Sequence, residues 1–313
     1  MTFRTHSRLL GTLALFVPLA CGGESGSTSA LTGTVEIDGS STVFPIIEAV
    51  VEEFQIEHRG VRVTAGISGT GGGFRRFCAG ETDISDASRP ISDAEREECA
   101  RNGIEFIEMP IAWDGLSVIV HPDNDWAQCL TVEEVRRIWE PGSDVTTWAD
   151  LRSGFPAEPI TLYGPGTSSG TFDYFTEAIM GESGASRPDY QASEDDNVLV
   201  QGVVGDRWAL GYFGYAYYIE NRDRLNVVQI DSGEGCIGPD QTTIENGSYA
   251  PLSRPLFIYV NRESARRPAV AAFLEYAFTF GPELIPATGY IPLTPEQYAE
   301  ERAELEAMST SGA

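Results

Sequence analysis

The strongest constraint on the fold is a regular alternation of strand and helix patterns along most of the chain. Residues 61–65 alternate apolar and polar side chains as a strand does, and residues 46–54 repeat apolar side chains at helical spacing. Helix starts, each a hydroxyl residue followed three positions later by an acidic residue, are expected at 92–95, 131–134 and 193–196. This alternation predicts an α/β architecture with largely parallel sheets.

Two turn-forming segments, residues 121–124 and 250–255, adjoin strand patterns and are candidates for crossings between domains. The other predicted elements are strands at 104–109, 116–120, 160–163, 227–230 and 256–260, and late helices at 267–280 and 294–307. Two crossings indicate that one domain is inserted into another, which is the layout of a hinged, two-lobed protein. Residues 33–120 and 254–313 are therefore expected to form one lobe, and residues 121–253 the inserted lobe.

The charge of the chain excludes several classes of function. Its formal net charge is −26, and all 21 basic residues are arginine. Without lysine, the chain has no Walker A lysine, no Schiff-base lysine and no Ser-x-x-Lys acylation site. A broad basic surface for nucleic acid is not expected at this charge either, and the acidity is explained by a solvated surface.

The N-terminus has the pattern of an export signal. Arg4 and Arg8 precede an apolar stretch, residues 9–20, that is too short to span a membrane comfortably. Small residues then lead to Cys21 and a Gly/Ser-rich run, as in a bacterial lipoprotein signal. We therefore expect a signal peptide at 1–20, a lipidated Cys21 within a linker of residues 21–32, and a protein anchored at the periplasmic side or cell surface. Plain secretion is the alternative, because Pro18 stands where such signals usually have leucine.

Four cysteines remain once Cys21 is set aside, an even number in an exported chain. This predicts two disulfides, and four cysteines allow three pairings. Cys78–Cys99 with Cys129–Cys236 is the favoured pairing, since the first pair brackets a single strand-and-loop unit. A metal site is the weaker alternative, because the chain has no C-x-x-C motif and few histidines.

Three segments rich in Gly, Ser and Thr, residues 38–45, 67–74 and 164–172, stand where a strand pattern gives way to a helix pattern. A fourth segment, residues 86–90, has Arg89 beside a hydroxyl residue. A helix N-terminus leaves backbone N–H groups unpaired, and glycine lets a ligand approach them closely. Several such ends that converge would bind an anion by local dipoles. Each hydrogen bond to a charged group contributes about 1.5–3 kcal/mol, and micromolar binding needs about 8 kcal/mol.

These segments resemble the PstS family, the phosphate-binding proteins of phosphate ABC transporters. The resemblance extends from about Gly33 to the C-terminal helix, and its motifs occur in family order at Gly39–Pro45, Ser68–Phe74, Asp86–Ile91, Ser169–Phe172, Ser193–Leu199 and Gly211–Ala216. It implies a two-lobed type II periplasmic-binding-protein fold with crossover hinge strands and a ligand in the cleft between the lobes. It also implies inorganic phosphate as ligand, ABC permease subunits as partners, and a monomer that needs no cofactor or metal.

The resemblance assigns phosphate-binding roles residue by residue. The residues that correspond to family ligands are Ser41, Thr42, Thr70, Gly71, Ser88, Arg89, Ser169, Gly170 and Thr171. Better-known members have an arginine where this chain has Pro165 and an aspartate where it has Ser88. Arg89 could supply the missing guanidinium. The acceptor for a phosphate proton stays open among Asp38, Asp86, Asp114 and Asp173.

Three other functions compete with phosphate transport. The ligand could be another tetrahedral oxyanion, such as sulfate or molybdate, and a secreted relative could serve scavenging or adhesion without a transporter. Residues 166–170 also match the G-x-S-x-G motif of serine hydrolases. That family places its histidine after the serine, whereas His58 and His121 both precede it. The chain is therefore expected not to be an enzyme.

Overall fold

A computed structural model describes residues 31–310 of the chain, apart from Ser168 and Glu194. The expected signal peptide and Cys21, with the linker up to residue 30, lie outside the described residues. Within the described range, no helix has the length and hydropathy needed to cross a membrane.

The described residues alternate strands and helices, as the pattern predicts. The strands are β1 (Gly33–Gly39), β2 (Val61–Gly66), β3 (Ile84–Ala87), β4 (Phe106–Val120), β5 (Cys129–Thr131), β6 (Thr161–Pro165), β7 (Gln191–Ser193), β8 (Ala209–Gly214), β9 (Asn226–Val227), β10 (Gln229–Asp231), β11 (Cys236–Ile237), β12 (Ser253–Asn261) and β13 (Ile291–Pro292). The helices are α1 (Phe44–Glu57), α2 (Thr70–Cys78), α3 (Asp93–Arg101), α4 (Val132–Trp139), α5 (Trp148–Leu151), α6 (Gly170–Met180), α7 (Asp196–Gly205), α8 (Tyr215–Asn221), α9 (Gln241–Glu245), α10 (Pro268–Thr279), α11 (Gly281–Leu284) and α12 (Pro295–Thr310). Two 3-10 turns, Ser264–Arg266 and Ile285–Thr288, flank α10 and α11.

One large mixed sheet organises these elements in the order β2-β1-β3-β12-β4-β8-β6-β7, and a small sheet contains β11, β10 and β5. The pairs of β1 with β2 and β3, and of β6 with β7 and β8, are parallel. The two central strands run antiparallel to their neighbours. The α/β architecture is confirmed, with parallel pairing limited to the outer strands because β4 and β12 join the two halves.

The long strand β4 belongs to both halves of the sheet. Its first part pairs with β12, and residues 116–120 pair with β8. The sequence pattern predicts two separate strands here, at 104–109 and 116–120, but the structure has one strand of 15 residues. The chain thus passes between the halves inside β4, near Gly115, and residues 121–124 form a turn after it. A Cβ at Gly115 would lie 2.6 Å from the Ile244 side chain, so glycine lets α9 pack closely against the strand.

Each half of the sheet has its own apolar core. The first gathers side chains of α1, α10 and the strands around β1, among them Phe54 and Phe273. The second is built on aromatic residues, with the rings of Phe175 and Tyr212 stacked at 3.7 Å. Trp113, in β4, packs against both cores. Each buried large side chain contributes about 1.5–3 kcal/mol, so both halves are stabilised independently of any ligand.

Several local predictions can be compared directly with the structure. Ser92 and Thr131 form complete capping boxes at the starts of α3 and α4. The start predicted at Ser193 is wrong by two residues: Ser193 pairs in β7, and the side chain of Asp195 caps α7 instead. The strand predicted at 227–230 is split between β9 and β10. The structure pairs Cys78 with Cys99 and Cys129 with Cys236.

Candidate anion-binding cleft

A polar cleft of about 230 Å³ lies where the starts of α1 and α2 face α6. Six of the nine residues predicted to bind the ligand line it, and three from the start of α6 do not. The lining residues are Ser40, Ser41, Thr42, Gly69, Thr70, Gly71, Ser88, Arg89, Asp173, Tyr174, Glu177, Ser183 and Arg254. The third Gly/Ser-rich segment therefore contributes to the cleft mainly through the helix that it begins.

The two helices on one side of the cleft begin without a side-chain cap. Val43 precedes α1 and Gly69 precedes α2, and neither residue has a side-chain acceptor for the N–H groups of the first turn. At Gly69 the backbone adopts φ 75°, a conformation that favours glycine. By contrast, α3 and α4 have their first turns closed by capping boxes. The first turn of α2 thus retains N–H groups that can donate to a ligand.

Hydroxyl groups add to this side of the cleft. The Oγ1 of Thr70 lies 3.2 Å from the Oγ of Ser88 and accepts a hydrogen bond from the Ser88 N–H. The Oγ of Ser40 accepts from the Thr42 N–H, which fixes the turn before α1. These hydroxyls are donors as well as acceptors, so they can turn their hydrogens toward an anion.

Arg89 lines the cleft, but its guanidinium already has a partner. Nη1 and Nη2 donate to the two carboxylate oxygens of Glu95 at 2.9 and 2.8 Å. The side chain also lies over the ring of Phe74, 5.6 Å from its centroid. Hydrogen bonding with Glu95 raises the pKa of Arg89 above its ordinary value. Arg89 thus contributes a positive charge that Glu95 largely balances.

The predicted residues at the start of α6 do not line the cleft, and Gly170 among them packs against the turn before α1. The Oγ of Ser169 accepts a hydrogen bond from the Thr171 N–H, so it caps its own helix. A Cβ at Gly170 would lie 2.8 Å from the Oγ1 of Thr42. The start of α6 therefore touches the turn before α1, and the cleft is closed at this point.

Arg254, at the start of β12, lines the cleft and was not identified from the sequence. Its guanidinium carbon lies 3.5 Å from the centroid of the Tyr174 ring, and its Nη2 donates to the Oγ1 of Thr42. Nε donates to Asp114 at 3.3 Å, and Nη1 lies 3.8 Å from Glu177. Only 13% of this side chain is exposed. A rigid, partly desolvated guanidinium at the closed end of a polar cleft is well suited to bind two oxygens of an anion.

The sequence was compared with those of known proteins. A match to the PBP superfamily domain extends over residues 25–279. The phosphate-binding protein PstS of Staphylococcus saprophyticus is 39% identical over 306 residues, which is 96% of this chain and 94% of that protein. The chain belongs to the PstS family of the PBP superfamily.

Two further members of this group are more similar to the chain. SphX of Synechocystis is 47% identical over 93% of this chain and 88% of that protein. A crystal structure described as a possible phosphate binding protein from Planctomyces limnophilus aligns with a TM-score of 0.85 at 46% identity. The alignment covers 89% of this chain and 99% of that one. The two-lobed PstS-type fold expected from the sequence is thereby confirmed.

The four aspartates considered as proton acceptors occupy different places in this PstS-type fold. Asp173 lines the cleft, and its Oδ1 accepts a hydrogen bond from Ser183. Asp114 lies behind Arg254, where burial raises its pKa and the arginine opposes that shift. Asp38 pairs with Arg76 and accepts from the Ser68 N–H, which supports the loop before α2. Asp86 is fully buried, and burial raises its pKa well above the ordinary value.

Among the described residues, no histidine that could serve as the base of the competing hydrolase motif lines the cleft. Ser169 acts as a helix cap, and Ser168 lies outside the described residues. His58 packs against the ring of Phe54, and His121 accepts a hydrogen bond from the Asp123 N–H. Neither histidine lines the cleft. Two of the relatives compared above, PstS of Staphylococcus saprophyticus and the Planctomyces limnophilus protein, are described as binding proteins or possible binding proteins.

Proposed function

We propose that this protein binds inorganic phosphate in the cleft and delivers it to an ABC-type phosphate importer. The observation that carries the proposal is the meeting of the uncapped start of α2, the hydroxyl-bearing turn before α1 and the guanidinium of Arg254 around one polar cleft. A tetrahedral anion offers four oxygens to such a set of converging donors. Relatives named phosphate-binding protein PstS support the choice of phosphate.

We assign the ligand contacts to two groups of donors. Ser41, Thr70 and Gly71 donate through backbone N–H groups. Ser41, Thr42, Thr70 and Ser88 add hydroxyl groups, since the Thr42 N–H already donates to Ser40. The second group is the pair of arginines, in which Arg254 grips two oxygens and Arg89 contributes charge from the rim. Four or five hydrogen bonds at about 1.5–3 kcal/mol each suffice for micromolar affinity once the cost of ordering is subtracted.

Ser169, Gly170 and Thr171 contribute through the positive end of the α6 dipole rather than through direct contact in this arrangement. The close approach of Gly170 to Thr42 keeps the two sides of the cleft together. If the sides separate to admit the ligand, the N–H groups of this turn become accessible, and closure would then bring them onto the anion.

The organisation of the whole chain follows from this role. We propose that residues 33–120 with 254–313 and residues 121–253 are two lobes that hinge on β4 and β12, with the first boundary moved from residue 120 to near Gly115 inside β4. Residues 1–20 would direct export and Cys21 would carry the lipid, so that residues 21–32 tether a monomer to the membrane at the periplasmic side or cell surface. The partners are then the permease subunits of the importer.

Isothermal calorimetry of the purified chain with phosphate and then sulfate tests this function. We expect phosphate to bind with a dissociation constant in the micromolar range or below, and sulfate to bind far more weakly. The absence of phosphate binding, or equal affinity for sulfate, would contradict the proposal. The second result would indicate a general oxyanion carrier.

A further inference from the structure

The guanidinium of Arg254 is held in place from three directions. Its Nε donates to Asp114 at 3.3 Å, and its Nη2 donates to the Oγ1 of Thr42 at the same distance. The third contact is with an aromatic ring, because the guanidinium carbon lies 3.5 Å from the centroid of the Tyr174 ring. This third contact uses none of the N–H groups of the arginine.

Several N–H groups of Arg254 are therefore left for a ligand. A guanidinium has five N–H groups, and the two hydrogen bonds to Asp114 and Thr42 occupy two of them. Nη1 lies 3.8 Å from the nearer oxygen of Glu177, which is longer than a hydrogen bond. Both N–H groups of Nη1 and the second one of Nη2 can thus donate to an anion in the cleft, provided that the guanidinium stays in this orientation.

Tyr174 is itself fixed in position. Its side chain lines the cleft although the residue is only 4% exposed, and its hydroxyl donates to the carbonyl oxygen of Pro251 at 2.9 Å. Burial raises the pKa of Tyr174 well above its ordinary value, so the hydroxyl keeps the proton that it donates. Because Pro251 precedes Arg254 by three residues, this hydrogen bond ties the ring to the segment that carries the arginine.

We propose that Tyr174 is a positioning residue for Arg254, whose ring fixes the plane of the guanidinium so that the free N–H groups are presented to the anion. The inference rests on the proposed function and adds to it a residue that acts through Arg254. A desolvated cation is attracted to the face of an aromatic ring strongly enough to change binding by about tenfold. The ring has no net charge, so it holds the arginine without neutralising it.

The other arginine of the cleft is held in a different way. Arg89 also lies over a ring, that of Phe74, but at 5.6 Å from its centroid. Both of its terminal nitrogens donate to the carboxylate of Glu95. The comparison explains why Arg254 is the better donor to a ligand: its closest restraint is a neutral ring, whereas that of Arg89 is a carboxylate.

Isothermal calorimetry with inorganic phosphate on the unmodified chain and two variants of Tyr174 tests the proposal. Tyr174→Leu removes the ring, and we expect phosphate affinity to fall about tenfold. Tyr174→Phe keeps the ring and loses only the hydrogen bond to Pro251, so it should bind phosphate within about twofold of the unmodified chain. This rescue by phenylalanine distinguishes a role of the ring from a role of the hydroxyl.

A control variant and a double-mutant cycle separate positioning from the packing of α6. Phe175→Leu removes the next ring on the helix, which stacks on Tyr212 and does not line the cleft, so it should lower stability and leave phosphate affinity unchanged. In a chain that carries Arg254→Gln with Asp114→Asn, adding Tyr174→Leu should cause no further loss of affinity, since no guanidinium remains to be positioned. Asp114→Asn avoids an unpaired buried carboxylate in that chain. Circular dichroism checks that each variant is folded.

Several results would overturn the proposal. Unchanged affinity in Tyr174→Leu, beside phosphate binding by the unmodified chain, would remove the positioning role and leave the proposed function intact. An equal loss in Tyr174→Phe would assign the effect to the hydroxyl. A tenfold loss in Phe175→Leu, or a further loss when Tyr174→Leu is added to the chain without Arg254, would assign it to the packing of α6. Absence of phosphate binding by the unmodified chain would refute the proposed function together with this role.

Discussion

The two walls of the cleft differ in chemistry although both are formed by the starts of helices. The wall built from α1, α2 and the loop after β3, here called the donor wall, presents N–H groups, hydroxyls and Arg89. The wall built from α6 caps its own first turn through Ser169 and presents Asp173 and Glu177 farther along the helix. Arg254 joins the walls by contacting Thr42 on one and Tyr174 on the other. The comparison shows that one wall carries the hydrogen-bond donors and the other carries two carboxylates.

The largest expected effect is that of Arg254→Ala, which removes the group shared by both walls. We expect phosphate affinity to fall by about 100-fold, since a bidentate charged contact is worth up to about 3 kcal/mol. Stability should fall by about 3–5 kcal/mol as well, because Asp114 would be left as a buried charge without its partner. Calorimetry and urea unfolding measure the two effects. Unchanged affinity in the folded variant would remove Arg254 from the site.

A pair of glycine substitutions separates the walls more sharply. In Gly170→Ala the new methyl carbon would lie 2.8 Å from the Oγ1 of Thr42, so the walls must move apart and stability should fall by about 1–3 kcal/mol. In Gly71→Ala the nearest protein atoms would be 3.8 Å away, so stability should hardly change. That methyl group would nevertheless stand at the donor wall, and we expect phosphate affinity to fall about tenfold. Equal stability of the two variants in thermal unfolding would contradict the packing of α6 against Thr42.

Removal of one hydroxyl from the donor wall should have a smaller effect. Thr70→Val keeps the shape of the side chain but loses the group that contacts Ser88, so we expect affinity to fall by about five- to tenfold. Thr64→Val, at an exposed position on β2, is the matched control and should leave binding unchanged. If titration calorimetry gives the same dissociation constant for both variants, Thr70 donates nothing to the ligand.

The smallest effect concerns the carboxyl behind the donor wall. Burial raises the pKa of Asp86 in the folded protein, so its stabilising contribution is present below the unfolded pKa of about 3.9 and is lost as pH rises through the folded pKa. Asp86→Asn should therefore match the unmodified chain near pH 4 and exceed its free energy of unfolding by about 1 kcal/mol at pH 8. Urea titrations at the two pH values measure this difference. If Asp86→Asn had a lower free energy of unfolding than the unmodified chain at pH 8, the pKa of Asp86 would not be raised in the folded protein.

Much of the fold could be predicted because its signals are local. The capping boxes at Ser92 and Thr131 each lie within four residues, and the alternation of strand and helix patterns is visible without long-range contacts. The single strand β4 was predicted as two because Pro110 and Gly115 interrupt the pattern that pairing with β12 and β8 overrides. The shift at α7 arises because Ser193 pairs with Pro165 in the sheet.

The candidate site was harder to predict, since it depends on contacts between distant segments. The Gly/Ser/Thr segments at Ser41 and Thr70 were visible in the sequence, whereas Arg254 reaches Thr42 only because β12 returns beside β4 more than two hundred residues later. Its one sequence signal was its place in the Pro-bearing run 250–255. The pairing of Arg89 with Glu95 was equally hidden, because the pattern identified Glu95 only as part of a helix cap.

A crystal structure of the chain with bound phosphate tests the central claim most directly. We predict that the anion lies within hydrogen-bond distance of the N–H groups of Thr70 and Gly71 and of the guanidinium of Arg254. An anion held elsewhere on the molecule, or one in the cleft that contacts neither Arg254 nor the first turn of α2, would contradict the account.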